Sequence, residues 1–208
     1  MKGEVFKTEL DKIENCNVRK STEIILNLLP DYFYKVPASS SGKYHPAYAL
    51  GEGGLVRHVK VAMRVLEEIF KDDVFGIFDD YTKDLMRMAL LLHDGFKRGK
   101  IDSGHTVPEH PVIMANFILE NKDKLLINED DAIFVSSMII SHMGPHWNDK
   151  HKFLPTPQTD EEKVIHYCDL FASRDFFDVH FDENDQILDS VTERSKHRVL
   201  TNEQNKNS

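Results

Sequence analysis

The dipeptide His93-Asp94 closes a strongly apolar run at positions 85–92. Such a run predicts a buried helix, and two ionisable side chains at its end are costly to bury unless something coordinates them. A bound cation is the simplest partner. Side chains of the same kind lie on or beside other apolar helical stretches, namely His58, His110, His142 and Asp169. Six nitrogen and oxygen ligands from core-facing segments therefore predict one interior metal site.

Helical spacing places three of these residues on buried faces. His58 follows an apolar residue by three positions and precedes another by four, while His142 and Asp169 each follow an apolar residue by four. Taken singly, a histidine on an apolar helix is more often a structural core residue than a ligand, but three core-facing ionisable residues together with the His-Asp pair favour the metal site. Imidazole and carboxylate ligands without thiolate suit Mn, Fe, Co, Ni, Zn or Mg, and they do not single one out.

The elements that must position these ligands are predicted to be helices. Apolar residues recur at helical spacing through most of the chain, whereas alternating strand patterns are hard to find. We therefore predict an all-α fold with the metal site in the interior of the bundle. The helices are expected at positions 13–29, 55–70, 83–92, 112–119, 132–143 and 164–177. Pro108 suits a first helical turn, and Thr159 with Glu162 predicts a capping box.

Length and composition indicate one domain and limit its partners. The chain has 208 residues, of which 40% are hydrophobic, enough for a sizeable core. We expect a helical domain at 1–181 and a polar extension at 182–208 that is flexible at its end. The net charge of −9 argues against binding to long nucleic acid but is compatible with short strands or a small anionic substrate. With two cysteines and no apolar leader or membrane-length run, the protein is expected to be cytoplasmic and to have no membrane partner; its oligomeric state stays open.

Three segments carry a resemblance to a known family. Gly53-Gly54-Leu55-Val56-Arg57-His58, then Leu91-Leu92-His93-Asp94, then Asp169 resemble the ordered signature of the HD-domain metal-dependent phosphohydrolases. The similarity covers roughly positions 24–177. It implies an all-helical domain that hydrolyses phosphoester or phosphoanhydride bonds with bound metal.

Two further motifs are similar to the HD domain of YhaM-type 3'-5' exoribonucleases. They are Lys43-Tyr44-His45-Pro46-Ala47-Tyr48 and Ile140-Ser141-His142-Met143-Gly144. Pro46 and Met143 stand where that family carries histidine, and Arg57 stands where it carries glutamate.

The resemblance also implies roles for the six candidate ligands. In such a domain His58, His93, Asp94 and Asp169 hold a first metal ion. Asp94 is placed to bridge to a second ion, for which His110 and His142 look like the added ligands. One or two divalent ions are therefore expected, with two favoured, and Asp94 could also orient or deprotonate the attacking water.

Three residues are candidates for contact with the substrate. Lys97 stands three residues after Asp94 and could neutralise a phosphoryl oxygen in the transition state; the alternative is a solvated basic loop. Arg174, five residues after Asp169, could reach a phosphate or form a structural ion pair. His45 could contact substrate or belong to an ordinary turn.

The other histidines and the tryptophan carry weaker expectations. His105, His146 and Trp147 lie in loops beside presumed ligands, where an aromatic ring could stack on a base, although an exposed histidine and a packed tryptophan are equally good accounts. The remaining histidines are predicted to be structural or solvated, namely His151, His166, His180 and His197.

The sequence therefore predicts a hydrolase that cleaves a phosphoester or phosphoanhydride bond of a nucleotide-type substrate with metal-activated water. Asp94 and Lys97 are the candidate catalytic residues; His45, Lys97 and Arg174 are the candidate substrate contacts. Two alternatives stay open. One is a 3'-5' exonuclease on short RNA or DNA, and the other is a non-catalytic metal-binding or ligand-sensing module.

Overall fold

A computed structural model describes residues 2–40, 45–72, 76–144, 154–174 and 179–187. The predicted all-α fold is confirmed for these residues. They form seven α-helices: α1 (Lys7–Leu10), α2 (Cys16–Leu28), α3 (Gly54–Lys71), α4 (Asp80–Leu92), α5 (His110–Glu120), α6 (Glu129–Ser141) and α7 (Asp160–Ala172). Four short 3-10 helices lie at Lys2–Phe6, Asp31–Tyr34, Ala47–Ala49 and Lys122–Lys124. The described part contains no strand beyond one isolated antiparallel bridge between Phe181 and Ile187.

Side-chain caps fix the starts of four helices. Asn15, Asp79, Asn128 and Thr159 each accept a hydrogen bond from a backbone N–H in the first turn of α2, α4, α6 and α7, which satisfies a donor that the helix itself leaves unpaired. At α7 the predicted capping box forms only in part, because the Glu162 carboxylate accepts from the N–H of Gln158 rather than from that of Thr159.

Most predicted helix boundaries differ from the structure by a few residues; for example, α2 begins at Cys16 rather than at 13, and α7 at Asp160 rather than at 164. Two further differences concern a proline and the end of the last helix. Pro108 was expected in a first helical turn, but α5 begins at His110 and it is Pro111 that occupies the first turn, where a missing N–H costs nothing. The last helix was expected to continue to position 177. Instead α7 ends at Ala172, and positions 175–178 lie outside the described residues.

The bundle is built around α4, which packs against α2, α3, α6 and α7. Helix α3 also packs on α7, and α5 on α6. The fully buried apolar side chains of α3 recur every three or four residues, as a helix with one core face requires. At its start, a Cβ on Gly54 would overlap the carbonyl oxygen of Ala49, so glycine allows the preceding loop to close against the helix.

Segment 179–187 packs against the bundle. Asp185 accepts a hydrogen bond from Arg57 at 2.7 Å, and Arg57 also donates to backbone carbonyls at positions 48, 50 and 52. The domain boundary between 181 and 182 stays a prediction, since positions 188–208 lie outside the described residues. None of the described helices combines the length and the apolar character needed to cross a membrane.

Candidate metal centre

Side chains from five helices or their ends converge in the middle of the bundle. Helix α3 supplies His58, the end of α4 supplies His93 and Asp94, α5 begins with His110, the end of α6 supplies His142, and α7 supplies Asp169. The four histidines and Asp94 are fully buried. The structure thus brings together all six residues that the sequence singled out as candidate ligands.

The first group comprises His58, His93, Asp94 and Asp169. The Nε2 atoms of His58 and His93 lie 2.9 and 3.6 Å from Oδ1 of Asp169. The same two nitrogens lie 3.7 and 3.4 Å from Oδ2 of Asp94. Two imidazoles and two carboxylates therefore surround one small volume.

The second group shares Asp94 with the first and adds two histidines. Nε2 of His110 lies 3.0 Å and Nε2 of His142 lies 3.7 Å from Oδ1 of Asp94. The two imidazole nitrogens are 3.3 Å apart. This group uses the oxygen of Asp94 that the first group does not use.

Backbone carbonyls fix the orientation of three imidazoles. Nδ1 of His93, His110 and His142 lies 2.6 to 2.8 Å from the carbonyl oxygen three residues earlier. A carbonyl oxygen only accepts, so each Nδ1 must carry the hydrogen and each Nε2 must present a lone pair in the neutral ring. Histidines that bind metal through Nε2 commonly donate their other N–H in this way.

The inner atoms of the cluster are buried without satisfying hydrogen bonds. Nε2 of His58, Nε2 of His93 and Oδ1 of Asp94 have no hydrogen-bond partner of adequate geometry among the described residues, despite their close approach to one another. Unsatisfied buried polar atoms are rare and costly. Lone pairs that face a common point are satisfied together by a cation, so the donor set fits a divalent metal ion.

The electrostatic environment of the cluster also fits a bound cation. Burial opposes the charged form of His93, yet the carboxylates of Asp94 and Asp169 outweigh it and raise the pKa of His93 to about 10. Burial opposes the charged form of Asp94 too, but Lys97 and His93 hold its pKa well below the usual range. By contrast, burial lowers the pKa of His142 to about 3. The two carboxylates draw positive charge into the cluster.

Lys97 meets the cluster from the following loop. Its Nζ lies 2.5 Å from Oδ2 of Asp94, and its side chain also lines a cavity beside the cluster. The solvated-loop alternative for Lys97 is therefore wrong, because this side chain is buried and paired. Lys100 in the same loop is different from Lys97, because it is exposed and pairs with Glu120 at 3.2 Å.

A cavity of about 440 Å³ opens onto the cluster at Asp169. Its wall combines serine and threonine hydroxyls with cationic or imidazole side chains, including Lys97, His45, His105 and Arg174. The His45 ring lies 5.7 Å from the ring of His58, and burial lowers the pKa of His45 to about 4. All three candidate substrate contacts thus line one cavity.

His166 was predicted to be structural or solvated; it is buried and also lines the same cavity. Its Nδ1 lies 2.8 Å from the backbone carbonyl of His142, so it supports the loop that carries a candidate ligand. Gly144 packs directly on its ring. The available signal was its position three residues before Asp169, which puts both on one face of α7. His146, Trp147, His151 and His197 lie outside the described residues.

An all-helical bundle around a buried His/Asp cluster is the architecture of an HD-like helical domain, and such a cluster could bind a metal ion. Comparison with curated proteins finds a distant relative, the 3'-5' exoribonuclease YhaM of Shouchella clausii (strain KSM-K16). It is 26% identical over 167 residues, covering 76% of this chain and 48% of the relative. The chain thus spans about half the length of this relative. No protein-family profile matches the sequence, and no solved structure matches it.

Proposed function

We propose that this chain is a metal-dependent phosphohydrolase that cleaves a phosphoester or phosphoanhydride bond of a nucleotide-type substrate. The observation that carries the proposal is the shared carboxylate: the two oxygens of Asp94 face two different groups of histidines, beside a cavity of nucleotide size whose wall combines apolar and cationic side chains. The catalytic domain is proposed to span 1–181, with 182–208 as an extension.

The ligand roles follow from the two groups. His58, His93, Asp94 and Asp169 would hold a first divalent ion, and Asp94 would share a second ion with His110 and His142. The ion identity among Mn, Fe, Co, Ni, Zn and Mg is open, because nitrogen and oxygen ligands accept all of them. When bound, such ions make water nucleophilic near neutral pH and offset charge on the phosphoryl group.

The chain's own side chains complete the site. The water oxygen bonds to phosphorus and the water gives up a proton, the bond between phosphorus and the leaving oxygen breaks, and the leaving oxygen takes up a proton, so that one water is consumed for each bond cleaved. Lys97, held against Asp94 at 2.5 Å and facing the cavity, is placed to contact a phosphoryl oxygen and to keep Asp94 ionised. Arg174 and His45 on the cavity wall would hold the rest of the substrate.

A small substrate fits both the cavity and the charge of the chain. A volume of about 440 Å³ lies within the range of small-molecule sites. The net charge of −9 disfavours a long polyanion, which needs a broad basic surface. The short end of a strand satisfies both conditions as well as a free nucleotide does.

The second candidate is a 3'-5' exonuclease on short RNA or DNA, which the name of the distant relative favours. It uses the same cluster and the same bond chemistry. The two candidates differ in what enters the cavity: a whole small molecule or the end of a strand.

One experiment separates these functions. The metal-loaded protein is incubated with mono-, tri- and cyclic nucleotides and with short single strands, at several salt concentrations. We expect turnover of at least one nucleotide with a shallow salt dependence, because few counterions are released, and no turnover by Asp94→Asn. Stepwise shortening of strands without nucleotide turnover would favour the exonuclease. Metal binding without any hydrolysis would contradict both and favour a ligand-sensing module.

A further inference from the structure

Arg57 ties together loop 46–52, the segment that leads into α3. Its guanidinium group donates hydrogen bonds to the backbone carbonyls at positions 48, 50 and 52, at 2.6, 2.9 and 2.8 Å. Its Nη1 also donates to Oδ1 of Asp185 at 2.7 Å. A guanidinium group holds its donors in a rigid planar fork. These contacts therefore fix loop 46–52 relative to both α3 and the turn that carries Asp185.

Loop 46–52 is connected to the wall of the cavity at three points. His45, which lines the cavity, directly precedes the loop. The carbonyl of Ala49 accepts a hydrogen bond from the N–H of Ala38 at 3.0 Å, and Ala38 lines the cavity. The hydroxyl of Tyr48 donates to the carbonyl of Ala172 at 2.6 Å, and the next two residues after Ala172 line the cavity as well. A shift of this loop would therefore move three parts of the wall together.

A closed turn presents Asp185 to Arg57. Oδ1 of Asp182 accepts hydrogen bonds from the backbone N–H groups of Asn184 and Gln186 at 2.9 and 2.8 Å. The N–H of Asp182 donates to the carbonyl of Gln186 at 2.9 Å. Within this turn Asp185 has a φ of 56°, a left-handed conformation that is unfavourable for a residue with a side chain and persists where surrounding contacts determine it. The turn thus holds the carboxylate of Asp185 in place against the guanidinium group.

We propose that Arg57 and Asp185 are positioning residues for the substrate. Together they hold loop 46–52, and through it His45 and the end of α7, in the arrangement that binds a nucleotide. The inference rests on the proposed function and extends it to residues outside the cavity. Because the pair is not among the candidate ligands, we expect it to affect substrate affinity rather than metal content. The turn at 182–187, which begins the proposed extension, is then required for substrate binding.

Nucleotide binding tests the pair without depending on turnover. The metal-loaded full chain is titrated by calorimetry with the common nucleoside 5'-monophosphates. Asp185→Gly removes the carboxylate and tolerates the positive φ, and it should weaken binding by roughly tenfold, the effect of one charge-assisted hydrogen bond. Asp185→Asn should recover part of this loss, because asparagine keeps an acceptor oxygen and adopts the same conformation. Arg57→Lys should lose as much affinity as Asp185→Gly, because one ammonium group cannot replace the planar fork.

Tyr48→Phe tests the connection between loop 46–52 and α7. This change removes only the hydroxyl group that donates to the carbonyl of Ala172. It should weaken nucleotide binding by roughly fivefold, the effect of one neutral hydrogen bond. Glu68→Ala is the matched control for the Asp185 variants, since it removes an exposed carboxylate that pairs with Arg64 at 3.1 Å on α3. This control should bind nucleotide as the unmutated protein does.

Turnover supplies a readout that a loss of stability alone would not produce. For a substrate that the unmutated protein hydrolyses, Asp185→Gly should raise KM by roughly tenfold, again as for one charge-assisted hydrogen bond. The value of kcat should change little, because the lost binding is shared by the ground state and the transition state. Elemental analysis should find the same metal content in the unmutated protein and in each variant.

The outcomes separate the positioning pair from the proposed function. An Asp185→Gly variant that melts earlier but keeps its nucleotide affinity and KM would reduce the pair to a structural contact and overturn the inference. A loss of affinity together with a loss of metal would also overturn it, because the pair would then act through the metal centre. Nucleotide binding that depends on Asp185, without any hydrolysis, would support the pair while contradicting the proposed function. If the unmutated chain neither bound a monophosphate nor hydrolysed any substrate, both would be wrong.

Discussion

Nε2 of His110 lies 3.0 Å from Oδ1 of Asp94. This is the carboxylate oxygen that the first ligand group does not face. Oδ2 of the same carboxylate faces His58 and His93 and is also paired with Lys97. One side chain therefore belongs to both candidate groups through different atoms. This is the geometry that a carboxylate bridging two ions requires.

The first prediction concerns the number of ions. His110→Ala and His142→Ala should each lose one of two bound ions, because their nitrogens face only Oδ1 of Asp94. His58→Ala should disrupt the whole centre, since Asp94 belongs to both groups and the second group has only two histidines besides it. Elemental analysis under metal-replete conditions measures the number of ions bound per chain. One ion per unmutated chain would refute the dinuclear arrangement and leave a mononuclear site.

The second prediction concerns Lys97. Lys97→Ala should lower kcat by roughly a hundredfold, as loss of one preorganised group facing the developing charge does, while metal content stays the same. Metal content should not fall, because Lys97 is paired with Oδ2 of Asp94 and its removal leaves that oxygen free to bind an ion. Lys100→Ala, in the same loop but exposed, is the control. Loss of metal in Lys97→Ala would show a structural role instead.

The third prediction compares two glycines with similar backbones. Gly144 and Gly104 have φ of 62° and 78°, a region that costs a residue with a side chain about 1–3 kcal/mol. A Cβ on Gly104 would meet nothing within 4 Å, whereas one on Gly144 would overlap the ring of His166.

Gly144→Ala should therefore destabilise the protein by about 1–3 kcal/mol more than Gly104→Ala, as overpacking does. It should also weaken metal binding, because His166 contacts the backbone of His142. Denaturant unfolding and metal titration measure the two effects. Equal free energies of unfolding for the two variants would contradict this account of Gly144.

Much of the fold and of the ligand set could be predicted from residue spacing. His58 and Asp169 each occupy a helical position three or four residues from buried apolar neighbours, so their inward direction follows from the period of a helix. His93 and Asp94 end an apolar run, which makes their burial predictable as well. These sequence patterns are local. The residues themselves meet in the folded protein because each helix turns its apolar face into the bundle.

The remaining features depend on contacts between distant segments. His166 lies on a half-polar helix, and its contact is the backbone of His142, 24 residues earlier, which no local pattern reveals. Lys97 follows Asp94 by three residues, but only the turn after α4 determines that it pairs with that carboxylate. The early stop of α7 at Ala172 is likewise not marked by a glycine or proline.

The central claim is that the His/Asp cluster is a metal centre, and metal content measured by elemental analysis tests it most directly. After reconstitution and removal of free metal, the unmutated chain should retain one or two divalent ions per molecule. The double variant His93→Ala/Asp94→Ala should retain none and should lose the metal-dependent rise in melting temperature that mass action produces. The control His105→Ala, an exposed histidine bonded within its own loop, should keep its metal. An unmutated protein that retains no metal and hydrolyses its substrate at full rate in chelator would contradict the account.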